Sequence, residues 1–196
     1  MTYHQLVEQL RAKLALIVHF SHHSNMREGG VFPQDLLDAI ANSREWPLSC
    51  CLVWPTHMMS LPGSVGVILR PRSFESIVAV RSTDAGSLTW QDKSEGSLGS
   101  PLTIDTFNES FQVAPDDYNE WRVKDSEAIG IYFENPPQVK KRRHPVSEEG
   151  LDFGDLIAAE PISIDEIHTA FPSLPILTRH AGRLIATNVP GKVVYP

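Results

Sequence analysis

The fold is decided by VHFSHHSN, residues 18–25, where an apolar run ends in three histidines, two serines and an asparagine. Residues 15–20 (ALIVHF) are short and apolar, which favours a buried strand over a helix. Gly29 and Gly30 follow, with Pro33 just beyond, and this pattern predicts a turn. Because α+β folds commonly place a ligand where a strand ends in polar side chains over a loop, we expect a binding site here.

The length and composition favour one soluble domain. A chain of 196 residues can bury one sizeable core, so we predict a single domain over residues 1–196. No apolar run approaches the roughly 20 residues that span a bilayer, and the start of the chain lacks the layout of a signal peptide. We therefore expect a cytoplasmic protein that makes no membrane contact.

Charge and cysteine content narrow the function further. A net charge of −7 argues against a protein that coats nucleic acid non-specifically, although it leaves room for a local groove. The basic run at residues 140–144 (KKRRH) lies in a predicted loop and is either a solvated turn or a phosphate contact. Cys50 and Cys51 are adjacent and inside an apolar run, which indicates two inert buried thiols in a reducing compartment.

Hydrophobic periodicity predicts few helices and many short strands. Helices are predicted at residues 3–14 and 35–43, and from a capping box at Ser163 and Glu166 to about residue 170. The predicted strands are residues 48–54, 64–69, 76–80 and 128–133, with a final strand or hairpin at residues 175–185. A short apolar element near Phe107 leads into a strand-like stretch at residues 118–123. This order predicts an α+β fold with a split, mostly antiparallel sheet.

Two polar tracts interrupt these elements. Residues 82–101 are rich in serine, glycine and aspartate and read as a long loop. Residues 138–161 are charged and predict a linker or an exposed excursion.

The histidine corner is the first candidate site. If the strand alternates, His19 and Ser21 share one side, and Asn25 folds back from the loop over them. Neutral imidazole, hydroxyl and carboxamide groups suit the hydroxyls and amide of a sugar-and-amide ligand. A metal site formed by His19, His22, His23 and Glu28 is an alternative without a recognised zinc spacing. The remaining alternative is a buried, hydrogen-bonded structural histidine.

Three further side chains are candidates. Glu120 is either a carboxylate aimed into a pocket, where it stabilises positive charge at a sugar carbon, or one of many solvated acids. Trp54 is either an aromatic that stacks on a planar ring or a core tryptophan. Arg44 is either a phosphate or substrate contact or an exposed arginine at a helix end.

The order of these pieces resembles the DarT family of NAD-dependent DNA ADP-ribosyltransferase toxins. Residues 19–26 (HFSHHSNM) are similar to the family's opening His-x-(Thr/Ser)-His-x-x-Asn-(Leu/Met) pattern. Further similar segments follow in the same order: Gly29 or Gly30, Arg44, residues 53–58 (VWPTHM), residues 82–86 (STDAG), and residues 120–123 (EWRV) before the strand at 128–133. The resemblance covers about residues 15–135.

The resemblance implies an ADP-ribosyltransferase fold, a split antiparallel sheet around a cleft that binds NAD as co-substrate. His19 and Asn25 would hold the nicotinamide and its ribose, with Ser21 supporting them. Trp54 would stack near the nicotinamide.

The same resemblance implies catalysis by Glu120, which would orient the ribose and stabilise the oxocarbenium-like transition state, with Arg44 helping at a phosphate or acceptor. It also implies a bacterial toxin or defence effector that modifies DNA or another nucleic acid and is paired with an antitoxin. The residues that the family uses on its acceptor are not evident in the loop at 82–100. Two other classes stay open: a non-enzymatic binding or immunity protein with a structural histidine corner, and a histidine-based, metal-dependent hydrolase.

Overall fold

The computed structural model describes residues 1–24, 31–84, 99–134 and 162–187. Its α-helices are α1 (Tyr3–Ala12), α2 (Gln34–Asn42), α3 (Ile104–Glu109) and α4 (Ile164–Ala170). Its strands are β1 (Leu16–Phe20), β2 (Leu48–Val53), β3 (Val65–Pro71), β4 (Ile77–Arg81), β5 (Glu120–Val123), β6 (Ser126–Glu134), β7 (Ile176–His180) and β8 (Arg183–Thr187). The predicted α+β class is confirmed. The predicted linker at 138–161 and most of the predicted loop at 82–101 lie outside the described residues.

The strands form one open, mixed sheet in the order β4-β5-β2-β1-β3-β6-β7-β8. Neighbouring strands are antiparallel except β6 and β7, which are parallel. Parallel neighbours need a crossover connection, and α4 lies in the chain between them. At the β4 edge, Val80 N–H donates to Ser100 O (2.9 Å) and Ser100 N–H to Val80 O (3.0 Å).

The two faces of the sheet carry separate hydrophobic clusters because strand side chains alternate. Ile17, Leu52 and Trp121 belong to the larger cluster, in which Leu6 of α1 and Leu36 of α2 also pack. The smaller cluster lies on the opposite face and comprises Leu16, Val18, Phe20, Cys51, Val53, Met59, Leu61, Ile68, Tyr132 and Leu177. The helices therefore pack mainly on one face.

Local sequence explains where the helices begin. Thr2 and Gln5 form a capping box at α1, and Ser163 and Glu166 form the one predicted at α4. The apolar element predicted near Phe107 is α3, whose Phe107 is fully buried. None of the helices in the described ranges is long and apolar enough to cross a membrane.

Candidate functional site

Strand β2 changes partner halfway along its length. Residues 48–50 pair with β5, with Ser49 opposite Arg122 and Cys50 opposite Trp121. Residues 51–53 pair with β1, where the ladder ends at Val18 opposite Cys51. Beyond that pair β1 continues only with β3, so β1 and β2 part at the level of His19 and Ser49.

The His19 ring fills part of this opening. Its Nδ1 lies 2.7 Å from the Ser49 carbonyl oxygen, a group that has no strand partner on the β1 side. Since a carbonyl only accepts, Nδ1 carries the hydrogen and Nε2 is an acceptor in the neutral ring. Burial lowers the pKa of His19, while the bond to Ser49 and the charge of Asp35 oppose that shift. The ring is therefore neutral at pH 7.

Glu120 reaches the same residue from β5. The Ser49 hydroxyl donates to Glu120 Oε1 at 2.8 Å, and Arg122 Nη1 lies 3.5 Å from the same oxygen. The glutamate is only 6% exposed, whereas the Arg122 side chain is 34% exposed. Strand alternation puts the Glu120, Arg122 and Ser49 side chains on one face. The His19 side chain follows Ile17 toward the other face and meets Ser49 through the carbonyl.

Asn119 fixes the start of β5 and hence the position of Glu120. Its side chain continues the β2–β5 ladder in place of a peptide group: Oδ1 accepts from Leu52 N–H (2.6 Å) and Nδ2 donates to Leu52 O (2.9 Å). Nδ2 also donates to Ser110 O at 2.9 Å. Asn119 is fully buried, so these bonds form away from water.

Tyr118 lies among acidic residues close to Glu120. Asp117 Oδ1 accepts from Tyr118 N–H (2.8 Å) and from Asp84 N–H (3.2 Å), which brings the end of the 82–84 turn beside β5. Burial raises the pKa of Tyr118 well above its ordinary value, and the neighbouring Asp84 raises it further. Tyr118 therefore stays a neutral phenol near Glu120.

The turn after β1 is tightly bonded. Ser21 is 1% exposed, and its hydroxyl accepts from His23 N–H at 3.1 Å. The Ser24 hydroxyl donates to Ser21 O (2.8 Å) and accepts from Ser64 N–H (3.0 Å). Ser21 therefore lies next to His19 but supports the turn, and Asn25 lies outside the described residues.

Two predicted site residues lie elsewhere. Trp54 follows the Val53 end of β2, the opposite end from Ser49, and packs against Phe111 with ring centroids 4.9 Å apart. Arg44 is exposed, and its charge acts on Glu127 of β6. His19 and Glu120 therefore both bond to Ser49, one through its carbonyl and the other through its hydroxyl, although their side chains leave opposite faces of the sheet. Neither Trp54 nor Arg44 lies at Ser49.

Sequence reasoning missed two residues of this site. Ser49 was visible as the only hydroxyl inside the apolar stretch LSCCLVW, and Asn119 as a carboxamide directly before a strand. Neither signal identifies a partner, because the partners are 71 and 67 residues away.

A second buried polar cluster joins β6, β7 and the turn after β2. Glu134 accepts from the Tyr132 hydroxyl and from Arg179 Nη1, and Arg179 Nη2 donates to His57 O at 2.6 Å. His57 Nε2 lies 3.3 Å from the Tyr132 hydroxyl oxygen. Burial, aided by the charge of Arg179, lowers the pKa of His57 to about 3. This cluster ties three elements together away from Ser49.

Among the described residues, no group of three or more His, Cys, Asp or Glu side chains is placed to hold a metal ion. Glu28, one of the ligands considered for a metal site, lies outside those residues. Comparison with models of known protein families, with curated proteins and with solved structures finds no match to this chain.

Proposed function

We propose that the protein is an NAD-dependent ADP-ribosyltransferase in which Glu120 is the catalytic carboxylate. The observation that carries the proposal is the connection from His19 through Ser49 to Glu120, at the place where β1 and β2 part. These residues also match the two ends of the pattern that resembles the DarT family. Because the two side chains leave opposite faces of the sheet, a ligand that contacts both would have to enter the opening where β1 and β2 part.

The carboxylate suits the bond that NAD must break. When the bond between ribose C1′ and the nicotinamide nitrogen breaks, its electron pair stays on the nitrogen, nicotinamide leaves neutral, and positive charge develops on the ribose. A buried anion near that carbon stabilises the transition state more than the ground state. An acceptor oxygen or nitrogen then bonds to C1′ and releases a proton. Ser49 would hold Glu120 in position for this step.

His19 would bind the substrate without taking part in proton transfer. With Nδ1–H held by the Ser49 carbonyl, Nε2 can accept a hydrogen bond from a ribose hydroxyl. The lowered pKa of the ring keeps this acceptor available at pH 7. Asn25 would hold the nicotinamide amide, as the family resemblance implies. The acceptor would be DNA or another nucleic acid, and a toxin of this kind would be paired with an antitoxin.

The test is NAD turnover by the full chain with Glu120→Gln. We expect nicotinamide release to fall at least about a hundredfold, since removing a group that stabilises transition-state charge typically costs this much. Glu127→Gln is the matched control, because Glu127 is an exposed β6 acid paired with Arg70 at 2.6 Å. Urea unfolding of both variants separates lost catalysis from lost folding. Full turnover by a folded Glu120→Gln protein would rule out the proposal.

The second candidate is a non-enzymatic binding protein, because the bond from His19 to Ser49 O also has a purely structural use in completing the ladder. The two functions differ in their response to NAD. Binding of NAD to the folded state raises the melting temperature with NAD concentration, whereas a structural histidine corner gives no such rise.

A further inference from the structure

We infer that a cavity at the β4 edge binds a phosphate group of the ligand that reacts at Glu120, an inference that rests on the proposed function. The cavity measures about 170 Å³. Its polar walls are Arg81, Ser82, Thr83, Ser100, Thr106 and Glu109. Arg81 and four hydroxyl residues therefore line the cavity, and the hydroxyl of one of them, Thr106, already donates to Pro101 O at 3.0 Å in the cap of α3.

Arg81 links the cavity lining to the strand that carries Glu120. Arg81 lies directly opposite Glu120 in the β4–β5 ladder, so the two side chains share one face. Arg122 lies two residues beyond Glu120 on that face, diagonal to Arg81. The Arg122 guanidinium thus lies 3.5 Å from the Glu120 carboxylate, and Arg81 is the cross-strand neighbour of Glu120.

The Arg81 side chain packs against Gly99, where a Cβ would leave too little space for it. A Cβ at position 99 would lie 2.8 Å from Arg81 Cγ and 2.8 Å from Val80 O. Gly99 also has a φ of +120°, a backbone conformation that residues with a side chain rarely adopt. A residue with a Cβ at this position would force Arg81 Cγ or the Val80 carbonyl to shift, so Gly99 limits where the Arg81 side chain can lie.

These groups fit phosphate better than a neutral ligand. Guanidinium binds phosphate oxygens in a bidentate manner, and hydroxyls can donate to the remaining oxygens. Glu109 opposes an anion, but it is exposed at the end of α3, where water screens its charge. A phosphate in the cavity would hold its ligand beside Glu120.

Calorimetric titration of the full chain with inorganic pyrophosphate, at constant ionic strength, tests the site without any turnover. Arg81→Gln should raise the dissociation constant at least about tenfold, and Gly99→Ala should weaken binding in the same direction. Glu109→Gln should strengthen binding. Arg72→Gln, an exposed arginine 3.7 Å from Asp125, should leave binding unchanged.

Three results of the titration would overturn the inference: no pyrophosphate binding by the wild-type chain, equal binding by Arg81→Gln, or an equal loss in Arg72→Gln. Pyrophosphate binding without any NAD turnover would instead reject the proposed function and keep the phosphate site. Kinetics then identify the source of the phosphate. A higher KM for NAD in Arg81→Gln indicates the NAD pyrophosphate, whereas an unchanged KM with lost transfer to single-stranded DNA indicates the acceptor. Unchanged values for both substrates would contradict the inference.

Discussion

Asn119→Ala tests whether a side-chain amide truly replaces a peptide group in the β2–β5 ladder. Three backbone groups bond to this amide: Leu52 N–H (2.6 Å), Leu52 O (2.9 Å) and Ser110 O (2.9 Å). Alanine would leave all three without this partner in a region closed to water. We therefore expect the fold to be substantially less stable and Glu120 to lose its fixed position.

The bonds allow the magnitude to be estimated. An intramolecular hydrogen bond contributes about 1 kcal/mol net, and a buried group left without a partner costs about 1–3 kcal/mol. Three such groups, partly relieved by relaxation, predict a loss of about 3–5 kcal/mol. Since domains of this size are stable by about 5–15 kcal/mol, the variant should remain folded in the absence of denaturant but unfold much earlier in urea.

Urea unfolding at pH 7, followed by tryptophan fluorescence, measures the loss. Asn42→Ala is the control: it removes one exposed bond, from Asn42 Nδ2 to Asp38 O (2.8 Å), and should cost no more than about 1 kcal/mol. Asn119→Asp adds a second test, because its carboxylate faces two carbonyl oxygens at pH 7 and can donate to one of them only when protonated. That variant should therefore gain stability relative to wild type as the pH falls toward 4. A loss below about 1 kcal/mol in Asn119→Ala would refute the ladder interpretation.

Two other features give measurable expectations. The pKa of His57 is about 3 in the fold and 6.5 in the unfolded chain, so the unfolded chain takes up the proton first, and stability should fall by up to about 1.4 kcal/mol per pH unit below pH 6.5. Urea unfolding at pH 7 and pH 5 should show this slope in wild type and in exposed His4→Gln. The slope should be smaller in His57→Gln, which keeps only the contribution of His19, whose pKa burial also lowers. Gly63→Ala should cost at least about 2 kcal/mol in the same assay, because the new Cβ would lie 2.0 Å from Ser21 O. Gly182→Ala, with its nearest atom at 3.7 Å but a φ of +73°, should cost only about 1 kcal/mol, and equal losses would contradict the steric explanation for Gly63.

Strand positions were largely predictable because most of the strands are short apolar runs. The run at residues 15–20 became β1 at Leu16–Phe20, and the run at 128–133 became the longer β6 at Ser126–Glu134. The capping box at Ser163 was confirmed because its two bonds are local to one helical turn. Periodicity therefore identified elements whose signals lie within a few residues.

The partners of those strands were beyond sequence reasoning. Nothing local in LSCCLVW shows that β2 pairs with β5 through one half and with β1 through the other. The same limit applies to the site. His19 and Glu120 could be chosen by residue type, but the bonds of Ser49 to both of them arise only when the strands pair. Trp54 was chosen for its chemistry, yet its place at the far end of β2 depends on the same pairing.

The short bridge between Val80 and Ser100 has a consequence for solubility. An outermost strand normally offers its unpaired amides and carbonyls to a strand from another molecule, which is one route to aggregation. Here the outward N–H and C=O of Val80 are both bonded to Ser100, so these two groups of β4 are not open to a strand from another molecule. Within the described part of the chain, β8 is the other outermost strand, and Ile185 on it is 46% exposed. Intermolecular sheet growth at high concentration should therefore proceed from β8.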